Sequence, residues 1–100
     1  MEIQVSKHAE KRLRERCGLN NKSLNRMVNK AFASGIKHSD TKGKLCKWVT
    51  SLYFNNQQAN NIRLYGDKAF IFCDNILVTV IQIPSSLRND MKVLVKERKI

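Results

Sequence analysis

The segment S-K-H-A-E-K-R-L-R-E-R, residues 6–16, holds the side chains from which a metal-free attack on a phosphodiester can be assembled. Helical spacing sets His8, Arg12 and Glu15 on one stripe opposite Leu13, with Arg16 at its edge. A neutral imidazole in that position can take the proton of a 2′-hydroxyl while Arg12 or Arg16 stabilises charge on the phosphate. The same spacing also suits a salt-bridged surface helix in which Glu15 pairs with Arg12, so both readings stand at this point.

Two further groups of residues could hold a polyanion. Residues 36–44, I-K-H-S-D-T-K-G-K, have no hydrophobic period and read as a basic loop. Lys37, His38, Lys42 and Lys44 there, with Lys47 nearby, suit phosphate positioning, which carries no sequence information of its own. Arg63, Tyr65 and Lys68 crowd one hairpin, and period-2 geometry points Arg63 and Tyr65 to the same face. Tyr65 could stack on a base while Arg63 grips phosphate, or the three could form an ordinary hairpin rim. The eight Asp and Glu are scattered without metal-ligand spacing, and Cys17, Cys46 and Cys73 form no CxxC pair. These residues therefore predict neither a metal site nor a cofactor, and three free thiols suit a reducing cytoplasm.

The charge balance points the same way. Nineteen Lys and Arg against eight Asp and Glu give +11, and residues 1–50 hold twelve of the basic and four of the acidic groups. A field this one-sided attracts polyanions, which favours nucleic acid or an acidic protein as partner. One hundred residues with 42% hydrophobic content suit one domain, 1–100, with a real core, and exclude a multidomain enzyme or a disordered chain. No window approaches the roughly 20 apolar residues of a membrane span, and the charged first twenty residues do not resemble a signal peptide. The expectation is a cytoplasmic protein with no membrane partner.

These side chains must be positioned by a small set of elements. Ile3 and Val5 alternate with Gln4 as a short strand, and Ser6 offers an N-cap to a helix stopped by Gly18. Asn20 or Asn21 can cap a second helix, on which Leu24, Met27, Val28, Ala31 and Phe32 keep helical period up to Gly35. Residues 45–54 are rich in β-formers and read as a strand with Cys46, Trp48, Leu52 and Phe54 on one face. Three more strands, 62–65, 68–73 and 76–83, are joined by the two-residue links Gly66-Asp67 and Asp74-Asn75. The near-continuous apolar run 76–83 predicts a strand covered on both faces. After Pro84, Ser85 or Ser86 caps a last helix that frays over 96–99. The expected fold class is α+β: a short N-terminal strand, two helices, a four-stranded antiparallel meander and a C-terminal helix, with helices on one sheet face. The expected core is Leu13, Leu24, Val28, Phe32, Trp48, Phe70, Phe72, Val78 and Val80, with Phe54 beside Trp48.

The pattern K-H-A-x-x-R-x-x-E-R opening a helix, a second amphipathic helix ending in Gly, a basic loop and a final I-L-V-T-V-x-x-I strand resemble the RelE superfamily. The likeness is greatest to the BrnT-like small toxins. That resemblance implies a RelE-like α+β fold, metal-independent endoribonuclease activity and neutralisation by a small acidic antitoxin protein. It carries His8, Arg12 and Arg16 over as the catalytic set. The last strand departs from the family pattern, because Thr79 and Gln82 are its only polar residues. Three functions therefore stand side by side: an endoribonuclease toxin, a non-catalytic nucleic-acid-binding regulator of a phage or mobile element, and a module for an acidic protein partner.

Overall fold

The computed structural model describes residues 3–18, 21–56 and 59–98, with the side chains of residues 16, 17, 21, 97 and 98 outside that description. Asn20, one of the two expected caps of the second helix, lies outside the described residues, and Asn21 is already inside that helix. Five strands form one open mixed sheet: β1 (Gln4–Val5), β2 (Ile36–Lys37), β3 (Asn61–Tyr65), β4 (Lys68–Cys73) and β5 (Ile76–Gln82), in the spatial order β1-β5-β4-β3-β2. β1 runs parallel to β5 and all other neighbours are antiparallel. Four helices flank the sheet: α1 (Lys7–Cys17), α2 (Asn21–Ser34), α3 (Gly43–Asn55) and α4 (Arg88–Arg98). The chain is thus α+β, as its patterning predicts.

Three details differ from that expectation. Residues 45–54 lie inside helix α3, because Leu45, Val49 and Leu52 recur at i, i+4 and i+7 and all three are buried. The meander is accordingly three strands long, β3 to β5, and the loop 36–44 supplies β2 and a 3₁₀ turn at His38–Asp40. Helices cover both faces of the sheet. α1 and α2 pack with Phe70, Phe72, Leu77 and Val80, while α3 and α4 pack with Ala69, Ile71, Ile62 and Leu64. Ala69 to Phe72 are four successive fully buried residues, which a strand achieves only when both its faces are covered. Ser85 and Ser86 sit in a second 3₁₀ turn, Ser85–Leu87, ahead of α4, which continues through Arg98.

The expected core holds at Leu13, Leu24, Val28, Phe70, Phe72 and Val80. Trp48, Val78 and Phe32 are half-buried, and Phe54 is 75% exposed. For Trp48 and Phe54 the cause is the helix: the core-facing azimuth of α3 is filled by Leu45, Val49 and Leu52. For Val78 it is a β-bulge. Ile71 pairs with Thr79 and Phe72 with Leu77, leaving Val78 as the extra residue. The bulge lets Leu77 and Val80, three residues apart, face the same core.

Ser6 ties this bulge to the first helix. Its Oγ accepts the Ala9 N–H at 3.1 Å as the N-cap of α1 and donates to the Val78 carbonyl at 3.0 Å. At the other end of the sheet, Gly66 at φ +63° turns β3 into β4. There the Asp67 carboxylate accepts from Lys68 Nζ at 2.8 Å and from Gln82 Nε2 at 2.9 Å. The Lys68 hydrogen bond and then that of Gln82 push its pKa down from 3.8 to about 2. Because the folded value is the lower one, the stabilisation is present above about pH 4 and is lost as pH falls towards about 2. Asp67→Asn should flatten that part of the acid limb in urea midpoints measured down the pH scale. The effect should be small, since half of the Asp67 side chain is exposed to screening solvent.

Candidate nucleic-acid interface

The 3₁₀ turn and α3 form one corner beside the short edge strand β2. Gly43 at φ +60° bends the chain from the turn into the helix, and Thr41 locks the approach by donating Oγ1 to the His38 carbonyl at 2.6 Å. His38 Nε2 lies 2.8 Å from Thr50 Oγ1 and 3.7 Å from Cys46 Sγ. Thr50 also donates its hydroxyl to the Cys46 carbonyl at 2.8 Å, which ties the imidazole contact to the backbone of α3. The imidazole ring leans on Tyr53 at 5.3 Å between centroids and an interplanar angle of 47°. Tyr53 in turn accepts the Ile62 N–H with its hydroxyl at 3.0 Å, fastening α3 to β3.

The expected lysines of this segment are all exposed. Lys37 lies on β2, Lys42 precedes α3, and Lys44 and Lys47 point outward from α3, with Asp40 the one acid in residues 36–56. An open hollow of about 470 Å³ at this corner is lined by His38, Thr50, Tyr53 and Phe54. The grouping of His38 with Thr50, Tyr53 and Phe54 escapes the sequence analysis because a strand would set Tyr53 on the face opposite Thr50 and Phe54 and would turn Phe54 into the core beside Trp48. Their helical signal is the spacing Cys46, Thr50, Tyr53 at i, i+4, i+7.

The first-helix group stands elsewhere. Ala9 and Leu13 of α1 are fully buried against the sheet, His8 is exposed, and Arg12 is half-buried one turn further along. The ion pair on this helix joins Glu10 to Arg14 at 2.7 Å. The side chain of Arg16 lies outside the described residues. Lys7, Lys11, Lys22, Arg26 and Lys30 are exposed along α1 and α2, making a second basic surface. Since α1 and α3 pack on opposite faces of the sheet, the structure does not bring His8 and Arg12 together with the lysines of the α3 corner.

The hairpin group is held inward. Arg63 donates Nη1 to the Gly35 carbonyl at 2.9 Å and Nε to Asn61 Oδ1 at 3.1 Å, so it closes the end of α2 onto β3. Tyr65 meets Phe70 edge-on at 6.3 Å and is half-buried, and the Lys68 side chain, 13% exposed, is paired with Asp67. Arg63 and Tyr65 do share a face, opposite buried Ile62 and Leu64, yet that face is covered by α2.

No group of three or more His, Cys, Asp and Glu among the described residues could hold a metal ion. Among them, too, no helix is long and apolar enough to cross a membrane. No family model, curated protein or solved structure matches this chain.

Proposed function

We propose that this protein is a basic RNA-interacting protein, akin to the small RelE-type toxins that its first helix resembles, and that it holds the phosphate backbone at the α3 corner. The supporting observation is the exposure of Lys37, Lys42, Lys44 and Lys47 on the segment that carries the His38–Thr50 contact, with Asp40 as the lone acid of residues 36–56. Four exposed cations on a short stretch of chain neutralise phosphates without reading bases, the requirement for sequence-independent binding. The sealed sheet removes the alternative of a strand face that stacks bases, because α1 and α2 cover one side and α3 and α4 the other. An acidic protein, such as the antitoxin implied by the resemblance, would compete with RNA for the same lysines.

A second reading, cleavage at α1, is favoured by the placement of His8 and Arg12 one helical turn apart and facing away from the buried Ala9 and Leu13. In it His8 takes the 2′-hydroxyl proton and Arg12 stabilises the phosphate. One experiment tests both readings: labelled RNA is incubated with the protein in EDTA and run on native and denaturing gels. Retardation that weakens in the double variant Lys44→Ala, Lys47→Ala supports binding at the corner, and no retardation at low salt ends that reading. Fragments that fall about 100-fold in His8→Ala and in Arg12→Ala, with unchanged circular dichroism, support cleavage at α1. RNA that is retarded but intact leaves a binding protein and removes the second reading.

A further inference from the structure

Phe54 is the most exposed large apolar side chain among the described residues, and it lies at the hollow lined by His38, Thr50 and Tyr53. A single exposed apolar residue needs no explanation. The grouping does: three rings and one hydroxyl border the same open space of about 470 Å³. Two of those rings are already fixed, His38 by Thr50 and Tyr53 by the Ile62 N–H. Residues whose neighbours are pre-organised lose little entropy when a planar ligand is inserted beside them. Lys47 stands seven residues before Phe54 on α3, and hence two turns away on nearly the same azimuth, with Thr50 on the same side between them. Lys37 immediately precedes His38. The elements that line the hollow thus also carry two exposed cations, Lys37 on β2 and Lys47 on α3.

We propose that this hollow is the stacking site for an unpaired nucleobase of a single strand, with Phe54 as its exposed platform and Lys37 and Lys47 holding the adjoining phosphates. The proposal rests on the RNA-binding reading and adds strand selectivity to it: a base locked in a duplex cannot enter. Base–aromatic stacking works for every base because each presents a π-face, so the site discriminates single strands from duplexes and not one sequence from another. The positive flanks favour this occupant over an apolar protein segment, which would leave the lysines uncompensated beside it.

The test compares Phe54→Ala with the unaltered full chain on a short labelled oligoadenylate and on its duplex with oligouridylate, at one fixed salt concentration. Phe54→Ala should weaken binding of the single strand by about 5-fold to about 150-fold and leave the duplex unchanged. Phe54→Trp should bind the single strand at least as well, and its fluorescence should be quenched by oligoadenylate and not by the duplex. With 75% of Phe54 exposed, neither variant should alter the denaturation midpoint. Equal losses on both probes, or none on the single strand while the duplex still binds, would overturn the stacking site and leave the RNA-binding reading standing. A wild-type protein that binds neither probe would overturn both. A Phe54→Ala variant with unchanged binding and altered sedimentation would assign the patch to a protein contact instead.

Discussion

Replacing Phe72 by alanine should lower the folding free energy by about 3 to 5 kcal/mol, the usual loss for a buried aromatic ring. Phe72 is fully buried on β4, the central strand, and meets Phe32 of α2 edge-to-face with centroids 5.0 Å apart at 82°. Its removal therefore takes away transfer free energy, leaves a cavity under the α1–α2 layer, and breaks an aromatic pair worth about 0.5 to 1.5 kcal/mol. Urea denaturation should show a lower midpoint with an unchanged slope. Phe32, whose helical period suggests a core position, is half-buried, and the same truncation there should cost less. A loss below about 1 kcal/mol at Phe72 would mean that α2 does not pack on the sheet.

Raising the salt from about 50 mM to about 200 mM should reduce RNA affinity roughly 50-fold on a single strand and roughly 150-fold on a duplex. The figures assume that Lys37, Lys42, Lys44 and Lys47 each neutralise one phosphate, with a slope of about 0.7 per contact on single strands and about 0.9 on duplexes. Lys44→Ala together with Lys47→Ala should halve the slope in a plot of the logarithm of affinity against the logarithm of salt. A flat response would leave the four lysines as a solvated surface and remove the binding function assigned to the corner.

The local signals that are legible in the sequence are those with short-range causes. Ser6 as a cap, Gly18 as a stop, the period of Leu24 to Ala31 and the two hairpins at Gly66-Asp67 and Asp74-Asn75 all appear in the structure. Helix α3 is not legible from composition, because W-V-T-S-L-Y-F is rich in residues that strands favour, and tertiary packing of Leu45, Val49 and Leu52 overrides that preference. β2 is only two residues long and owes its existence to pairing with Arg63 and Leu64, which no local signal announces. The candidate site follows the same division. Exposed lysines at 37, 42, 44 and 47 can be read from charge alone, whereas the union of His38, Thr50, Tyr53 and Phe54 depends on α3 being a helix. The inward fastening of Arg63 and Lys68 depends on partners 28 residues away in one case and adjacent in the other, so residue type gives no hint of it.

The parallel pairing of β1 with β5 has a kinetic consequence. Gln4 and Val5 find their partners at Ile76 and Leu77, and the Ser6 hydroxyl meets the carbonyl of a residue 72 positions later. During synthesis α1 and α2 must wait for Phe70, Phe72, Leu77 and Val80 before their apolar stripes have anything to cover. Such long-range pairing raises the mean sequence separation of contacts, which slows folding relative to a chain of equal length built from local contacts. The β3–β4–β5 meander, by contrast, is made of neighbours in sequence, so its pairing asks only for short loop closures, whereas β1 joins the sheet edge across most of the chain.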